Sequence, residues 1–314
     1  MSFSDKVQFI KVEPANVGQR LDNFLMRQLK GMPRSRVYRL IRKGEVRVNK
    51  KRAKPENRLE KGDTVRIPPY SGPAEASIPK PSPGLGQLLL DSILKETDQY
   101  LVLNKPAGLS VHGGSGIRLG LIEALRQLHP AGADLELVHR LDRDTSGCLV
   151  VSKNSIALKA LQEQLKAKTV DKHYLALVRG NWPETLVEVD APLARQEAAN
   201  GERIVRVDPE GKASRTRFKV LKHFESASLV EAMPETGRTH QIRVHCQQAG
   251  HPIIGDDKYL HSRQQQALPA PLAAHKDLCL HAAKISFQDP DRQQRVTVEA
   301  KLAGSFHQLL QRLQ

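Results

Sequence analysis

The chain has 314 residues, 39% hydrophobic and 4% aromatic, with 49 Lys and Arg against 34 Asp and Glu for a net charge of +15. That length suits two domains or one large one, and no apolar run approaches the eighteen residues of a membrane span. Three cysteines, Cys148, Cys246 and Cys279, form no C-x-x-C, which argues against a disulfide scaffold and a cysteine-rich zinc site.

The charge is uneven. Residues 1–70 hold 8 Lys and 10 Arg against 3 Asp and 4 Glu, a net of +11, leaving +4 for the other 244 residues. This asymmetry points to a basic N-terminal module for a polyanion, joined to a nearly balanced body. Few aromatics argue against gripping single strands by serial stacking, and the N-terminal helices lack a broad apolar face for a membrane. Nucleic acid is therefore favoured over an anionic membrane as the partner. The start, MSFSDKVQFIKVEP, lacks a signal-peptide layout, so a cytoplasmic location is expected.

In chain order, residues 17–67 read as one unit. Leu21, Phe24, Leu25 and Leu29 follow helical spacing, and Ser35 is a candidate N-cap for a second helix. On that helix Arg36, Arg39 and Lys43 recur on one side, Val37, Leu40 and Ile41 on the other, and Gly44 suits the end. A short strand at Val46 and Val48, a turn at Asn49-Lys50-Lys51 and a strand at Thr64–Ile67 follow. A solvated charged face would give the same pattern on one helix. The +11 concentrated here favours a phosphate track of Arg36, Arg39, Lys43, Lys50, Lys51 and Arg52.

Six prolines between Pro68 and Pro83 mark a linker, 68–87, which should be mobile and reach roughly 50 Å if extended at about 3.1 Å per residue. The body, 88–314, alternates short apolar strands with a few helices. Strands are expected at Asp98–Leu103, Leu135–Val138, Cys148–Val151, His173–Val178, Ser214–Leu221, Ser228–Ala232 and Ala283–Phe287, with a helix at Ile156–Leu165. The fold class is therefore α+β with a mixed or antiparallel sheet.

No P-loop or H-E-x-x-H is present. His240, His245 and Cys246 match no zinc spacing, and His281 in an apolar run reads as a hydrogen-bonded core histidine. The glycines of His112-Gly113-Gly114-Ser115-Gly116 read either as a loop over a cleft or as a flexible turn. The informative segment is His139-Arg140-Leu141-Asp142-Arg143-Asp144-Thr145-Ser146-Gly147, a polar loop between apolar strands. On composition, Asp142 between arginines reads as a loop ion pair. If the cationic run Glu235–His245 approaches it, the result is one carboxylate held ionised in a cationic cleft.

Resemblance adds to this. VGQRLDNFL, SRVYRLIRKGEVRVNKKR and LEKGDTVRIP resemble the S4 domain, which implies a small αα-β module that docks on structured RNA. HRLDRDTSG resembles the signature of the RluA family of pseudouridine synthases. Asn104-Lys105-Pro106-Ala107-Gly108, Lys172-His173-Tyr174-Leu175-Ala176 and the run from Gly237 to His245 agree in order. The resemblance implies an S4 domain, the proline-rich linker and a synthase domain with a mixed, mainly antiparallel sheet. It implies Asp142 as the catalytic carboxylate, Tyr174 stacked on the target base and assisting proton handling at C5, Arg238 paired with Asp142, Ile242 on the base's other face, and Arg140 toward RNA. Asp144 is a bystander and Lys105 structural.

Uridine and pseudouridine are isomers, so no cofactor, metal or ATP is expected. Asp142 could attack C1′, add to C6, or remove a sugar proton to give a glycal. The expected partner is large-subunit ribosomal RNA or its assembly intermediate, with no protein partner evident and a monomer expected. The rival reading is a non-catalytic ribosome assembly factor that binds the same RNA. A base-excising glycosidase would want two carboxylates in a defined separation.

Overall fold

The computed structural model describes residues 6–29, 32, 34–69, 78–114, 117–197, 203–292, 294–302 and 304–313. The chain divides into two units, 1–77 and 78–314.

In the first unit, α1 (Leu21–Gln28) and α2 (Arg34–Lys43) pack beside strands β1 (Gln8–Lys11), β2 (Arg47–Val48), β3 (Lys51–Arg52) and β4 (Thr64–Ile67). The strands form an antiparallel sheet in the order β1-β4-β2-β3. Leu21, Phe24 and Leu25 are fully buried and meet Val37, Ile41, Val46, Val65 and Ile67, as the helical spacing requires. Helix α2 begins at Arg34, so Ser35 lies inside it rather than capping it. Strand β1 was not legible, because its partner β4 lies far along the chain. Asn49 and Lys50 both have positive φ, 49° and 66°, giving the mirror-image turn that matches the twist of a two-residue hairpin. Lys51 and Arg52 therefore fall in the returning strand. Arg39, Lys43, Lys50, Lys51 and Arg52 are exposed, and Arg36 is half-buried.

The proline-rich stretch is shorter as a linker than its composition suggests. Helix α3 (Pro83–Asp91) opens inside it, with Ser82 Oγ accepting from Leu85 N at 3.3 Å. Pro83 sits at the first helical position, where its missing N–H costs nothing. The mobility expected of the linker concerns residues 70–77, which lie outside the described residues.

The second unit continues with β5 (Ile93–Glu96), β6 (Tyr100–Lys105), α4 (Leu121–Leu128), β7 (Glu136–Leu137), β8 (Ser146–Ser152), α5 (Ser155–Lys166), β9 (Asp171–Arg179), β10 (Glu188–Asp190), β11 (Leu193–Glu197) and β12 (Arg203–Val207). After these come β13 (Arg215–His223), β14 (Ala227–Pro234), α6 (Gln241–Gln248), α7 (Ser262–Gln266), β15 (Leu280–Gln288), β16 (Arg295–Glu299) and α8 (Gly304–Arg312). The strand expected from Asp98 starts two residues later, because Thr97 Oγ1 accepts from the amides of Gln99 and Tyr100 and closes a turn there.

Among the described residues ten strands form one sheet in the order β10-β13-β14-β9-β15-β8-β6-β5, with β16 on β15 and β7 on β8. The β15–β8 pairing is parallel and the others are antiparallel. Hairpin β11–β12 stands apart. Two apolar cores flank the central strands, one around Leu101, Leu149 and Leu125, the other around Trp182, Ile254 and Phe306. Tyr174 on β9 packs against both. No helix among the described residues is long and apolar enough to cross a membrane.

Candidate active site

Asp142 lies in the loop between β7 and β8, and that loop is tied down at several points. Leu141 and Thr145 are buried, Thr145 N donates to Asp142 O at 3.2 Å, and His139 Nε2 accepts from Val150 N at 3.1 Å. Lys105 Nζ, fully buried, donates to the carbonyls of Pro106, Leu109 and Arg143, each at 2.8 Å. Burial pushes this ammonium down to about 7, against the pull of Asp144 and Asp142. With three carbonyl acceptors for three protons, its use is structural.

Gly147 closes the loop at φ +106°, where a Cβ would stand 2.3 Å from Ala282 O. The close parallel approach of β8 to β15 therefore requires glycine. Held this way, the Asp142 side chain is still 27% exposed. Asp144 is paired with Arg143, Nε to Oδ1 at 2.9 Å and Nη2 to Oδ2 at 3.1 Å.

The cation beside Asp142 is Arg243, not Arg238. Arg243 Nη1 lies 3.7 Å from Asp142 Oδ2, while Arg238 is exposed and its Nε donates to Ala213 O at 3.2 Å. The cause is the fold of the segment before α6. Gln241 is buried and uses its whole amide: Oε1 accepts from Thr236 Oγ1 and Arg238 N, and Nε2 donates to Arg215 O and Thr216 Oγ1. That clamp fixes the backbone of Arg238 on the outer turn, and the helix then carries Ile242 and Arg243 inward.

Arg243 is itself held from behind. Asp256, 2% exposed, takes its Nε and Nη2 at 2.7 Å each, and the Tyr259 ring lies 5.1 Å from the guanidinium carbon. Burial opposes the charge, but the hydrogen bonds to Asp256 and the nearby Asp142 outweigh it, so the guanidinium stays firmly protonated. The second neighbour of Asp142 is His240, Nε2 to Oδ2 at 3.9 Å, in a left-handed backbone conformation with φ 54°.

Asp142, His240 and Arg243 line a cleft of about 470 Å³. Tyr174 and Ile242 give it apolar walls, and Arg140, Lys172, Arg238 and Arg243 make it strongly cationic. Arg140 is exposed. Burial, reinforced by the Asp142 charge, pushes the Tyr174 phenol up, so the ring is neutral across the working pH range. Burial lowers Lys172 and, despite Asp142, His240. His112, Gly113 and Gly114 do not line the cleft, and Ser115 and Gly116 lie outside the described residues. His281 is a bonded core histidine, Nδ1 to Ser146 Oγ and Nε2 to Ala300 O.

Sequence reasoning gathered Asp142, Tyr174, Ile242 and Arg140 at one cleft but missed Arg243, Asp256, His240, Tyr259 and Lys172. Arg243 left a trace: it sits within a short run, Ile242 to Cys246, whose other members suit a buried helix. A charge there demands a buried partner. Asp256 and Tyr259 left none.

A family model described as RNA pseudouridylate synthase matches residues 99–248, and an S4 domain model matches 19–65. The chain is 52% identical to ribosomal large subunit pseudouridine synthase C of Salmonella typhimurium, over 97% of this chain and 96% of that protein. It is 49% identical to the protein of the same name from Vibrio parahaemolyticus, with the same shares covered. The solved human RNA pseudouridylate synthase domain containing 4 superposes with a TM-score of 0.59 at 28% identity, covering 73% of this chain and 95% of that one. With near full-length relatives at about half identity and the fold of a solved pseudouridylate synthase domain, the chain belongs to the RNA pseudouridylate synthases and carries an S4 domain at its N-terminus.

Proposed function

We propose that this chain isomerises uridines of large-subunit ribosomal RNA, with Asp142 as the catalytic carboxylate. The observation that carries the residue assignment is the Asp142–Arg243 approach of 3.7 Å on the floor of a cationic cleft walled by Tyr174 and Ile242. The choice of RNA rests on the near full-length relatives named for the large subunit.

The target base leaves its stack, at a cost of a few kcal/mol, and enters between Tyr174 and Ile242. Stacking on Tyr174 and phosphate contacts from Arg140, Arg238 and Lys172 offset that cost. Asp142 then acts where the N1–C1′ bond breaks. The uracil turns, C5 bonds to C1′, the C5 proton leaves and N1 gains one. Arg243, 3.7 Å away, orients the carboxylate throughout. Tyr174, with its phenol pushed up, is a poor base for the C5 proton, so its part is stacking. Basic side chains of the first unit, Arg39, Lys43, Lys50, Lys51 and Arg52 with Arg36 beside them, track phosphates and hold the substrate.

The test is tritium release from 5-tritiated large-subunit RNA, small-subunit RNA and transfer RNA. Release from the large-subunit RNA alone supports the reading. Release only from another RNA overturns the target, and tight binding with no release from any of the three returns the assembly-factor reading.

A further inference from the structure

Tyr259 is buried, and its hydroxyl has two partners. Val205 N donates to Oη at 3.1 Å, and His240 Nδ1 lies 2.7 Å away on the other side. An oxygen that already accepts from an amide still has a proton to give, and a buried hydroxyl that withholds it forfeits a bond. His240 Nδ1 is the acceptor in reach. Burial lowers that imidazole from its ordinary value, so near neutral pH it carries one proton, and with Nδ1 accepting, that proton sits on Nε2. Nε2 is the atom that faces Asp142 Oδ2 at 3.9 Å. The rings are locked edge to face, centroids 5.5 Å apart at 80°, and the left-handed backbone of His240 keeps the imidazole there. The other face of the arrangement is Arg243, whose guanidinium also rests against the Tyr259 ring.

We propose that Tyr259 is a positioning residue that fixes His240 as its Nε2–H tautomer, so that a neutral N–H donor and the Arg243 guanidinium both face the Asp142 carboxylate. The proposal rests on Asp142 being the catalytic carboxylate. Without the Tyr259 hydroxyl, the imidazole is free to carry its proton on Nδ1. The Nε2 lone pair then faces the carboxylate and disfavours its ionised form. The same hydroxyl anchors β12, so the tautomer is set only when hairpin β11–β12 is seated.

The groups facing Asp142 are Arg243 and His240 at the start of α6, Tyr174 on β9, Lys105 on β6, and Tyr259. His240 also faces Asp256 and Lys258. Lys105 titrates in wild type and variant alike, so the difference between their pH profiles isolates the tautomer.

The experiment is single-turnover tritium release by the full chain from pH 5 to 9, for wild type, Tyr259→Phe, His240→Gln and His240→Ala, with RNA affinity and thermal unfolding measured alongside. Tyr259→Phe should move the acid limb up by about one pH unit, which is about tenfold in rate below the limb, with full recovery above it and half-saturating RNA within about twofold. His240→Gln keeps an amide N–H toward Asp142 and should hold the wild-type limb, whereas His240→Ala should not. A Tyr259→Phe rate that is unchanged, or lowered by one factor at every pH, overturns the proposal. If Tyr259→Phe fails to fold, equal acid limbs in the two His240 variants overturn it instead. Turnover by Asp142→Asn would remove the underlying assignment, an outcome these profiles do not mimic.

Discussion

Replacing Asp256 with asparagine tests whether the cation beside Asp142 is held from behind. Arg243 and Asp256 are 3% and 2% exposed and share two hydrogen bonds of 2.7 Å. Asparagine keeps Oδ1, which also accepts from the amides of Lys258 and Tyr259 at 3.1 Å each. It loses the charge, and its amide N–H now confronts the Nε–H of Arg243. Breaking one charge-assisted bond and leaving a buried guanidinium donor unpaired costs about 3 kcal/mol, the low end for a buried pair deprived of one partner.

For a unit the size of residues 78–314 that lowers the melting midpoint by roughly 6–12 °C. Thermal unfolding by circular dichroism reads it, and single-turnover tritium release reads the chemistry. The double replacement Arg243→Met with Asp256→Leu separates the two effects. Apolar side chains in place of the pair should recover most of the stability. Activity should stay lost, because the cation 3.7 Å from Asp142 is gone. An Asp256→Asn protein that melts within about 2 °C of wild type with full activity would show that Asp256 does not hold Arg243 in place, and an active double variant would show that the cation is not needed.

Burial lowers His139 to about 4 from its ordinary 6.5. The unfolded chain therefore takes up a proton below pH 6.5 that the folded chain refuses until about pH 4, so stability should fall as pH drops through that window and level off below it. His139→Gln should remove one proton's share of the slope, at most about 1.4 kcal/mol per pH unit, measured by urea unfolding at several pH values; an unchanged slope would place the uptake elsewhere. On the RNA side, Arg39→Gln, Lys43→Gln and Lys51→Gln together should weaken ribosomal RNA binding and reduce the salt slope by about 2–3, at about 0.7–0.9 for each phosphate no longer neutralised. A slope equal to wild type would mean that these side chains do not face phosphate.

Local signals carried the first unit well. Leu21, Phe24, Leu25, Val37 and Ile41 announced two helices, and Asn49-Lys50-Lys51 announced a turn though not its returning strand, because each depends on neighbours within a few residues. Strand β1 was hidden because nothing in Gln8–Lys11 says that it pairs with Thr64–Ile67. Helix α3 is hidden by its own first residue: Pro83 reads as linker in the sequence, yet after Ser82 it starts a helix.

At the site, HRLD and the tyrosine strand brought out Asp142 and Tyr174, since each belongs to a contiguous pattern. The resemblance points to Arg238 where the structure places Arg243, because the two sit in one cationic run. Only the Gln241 clamp decides which faces inward. Asp256 and Tyr259 were invisible for a related reason. Their meaning is a buried contact with Arg243 and His240, and no periodicity encodes that.

In the proposed function Asp142 performs the chemistry while the rest of the cleft and the first unit hold the RNA. The most direct test of this pairs tritium release with filter binding for Asp142→Asn on large-subunit ribosomal RNA. The amide keeps the shape of the carboxylate but lacks its charge. RNA affinity should stay within about threefold of wild type, as for an isosteric change that removes no phosphate contact, and no label should appear in water. Release at the wild-type rate would contradict this role for Asp142, as would binding that collapses together with turnover.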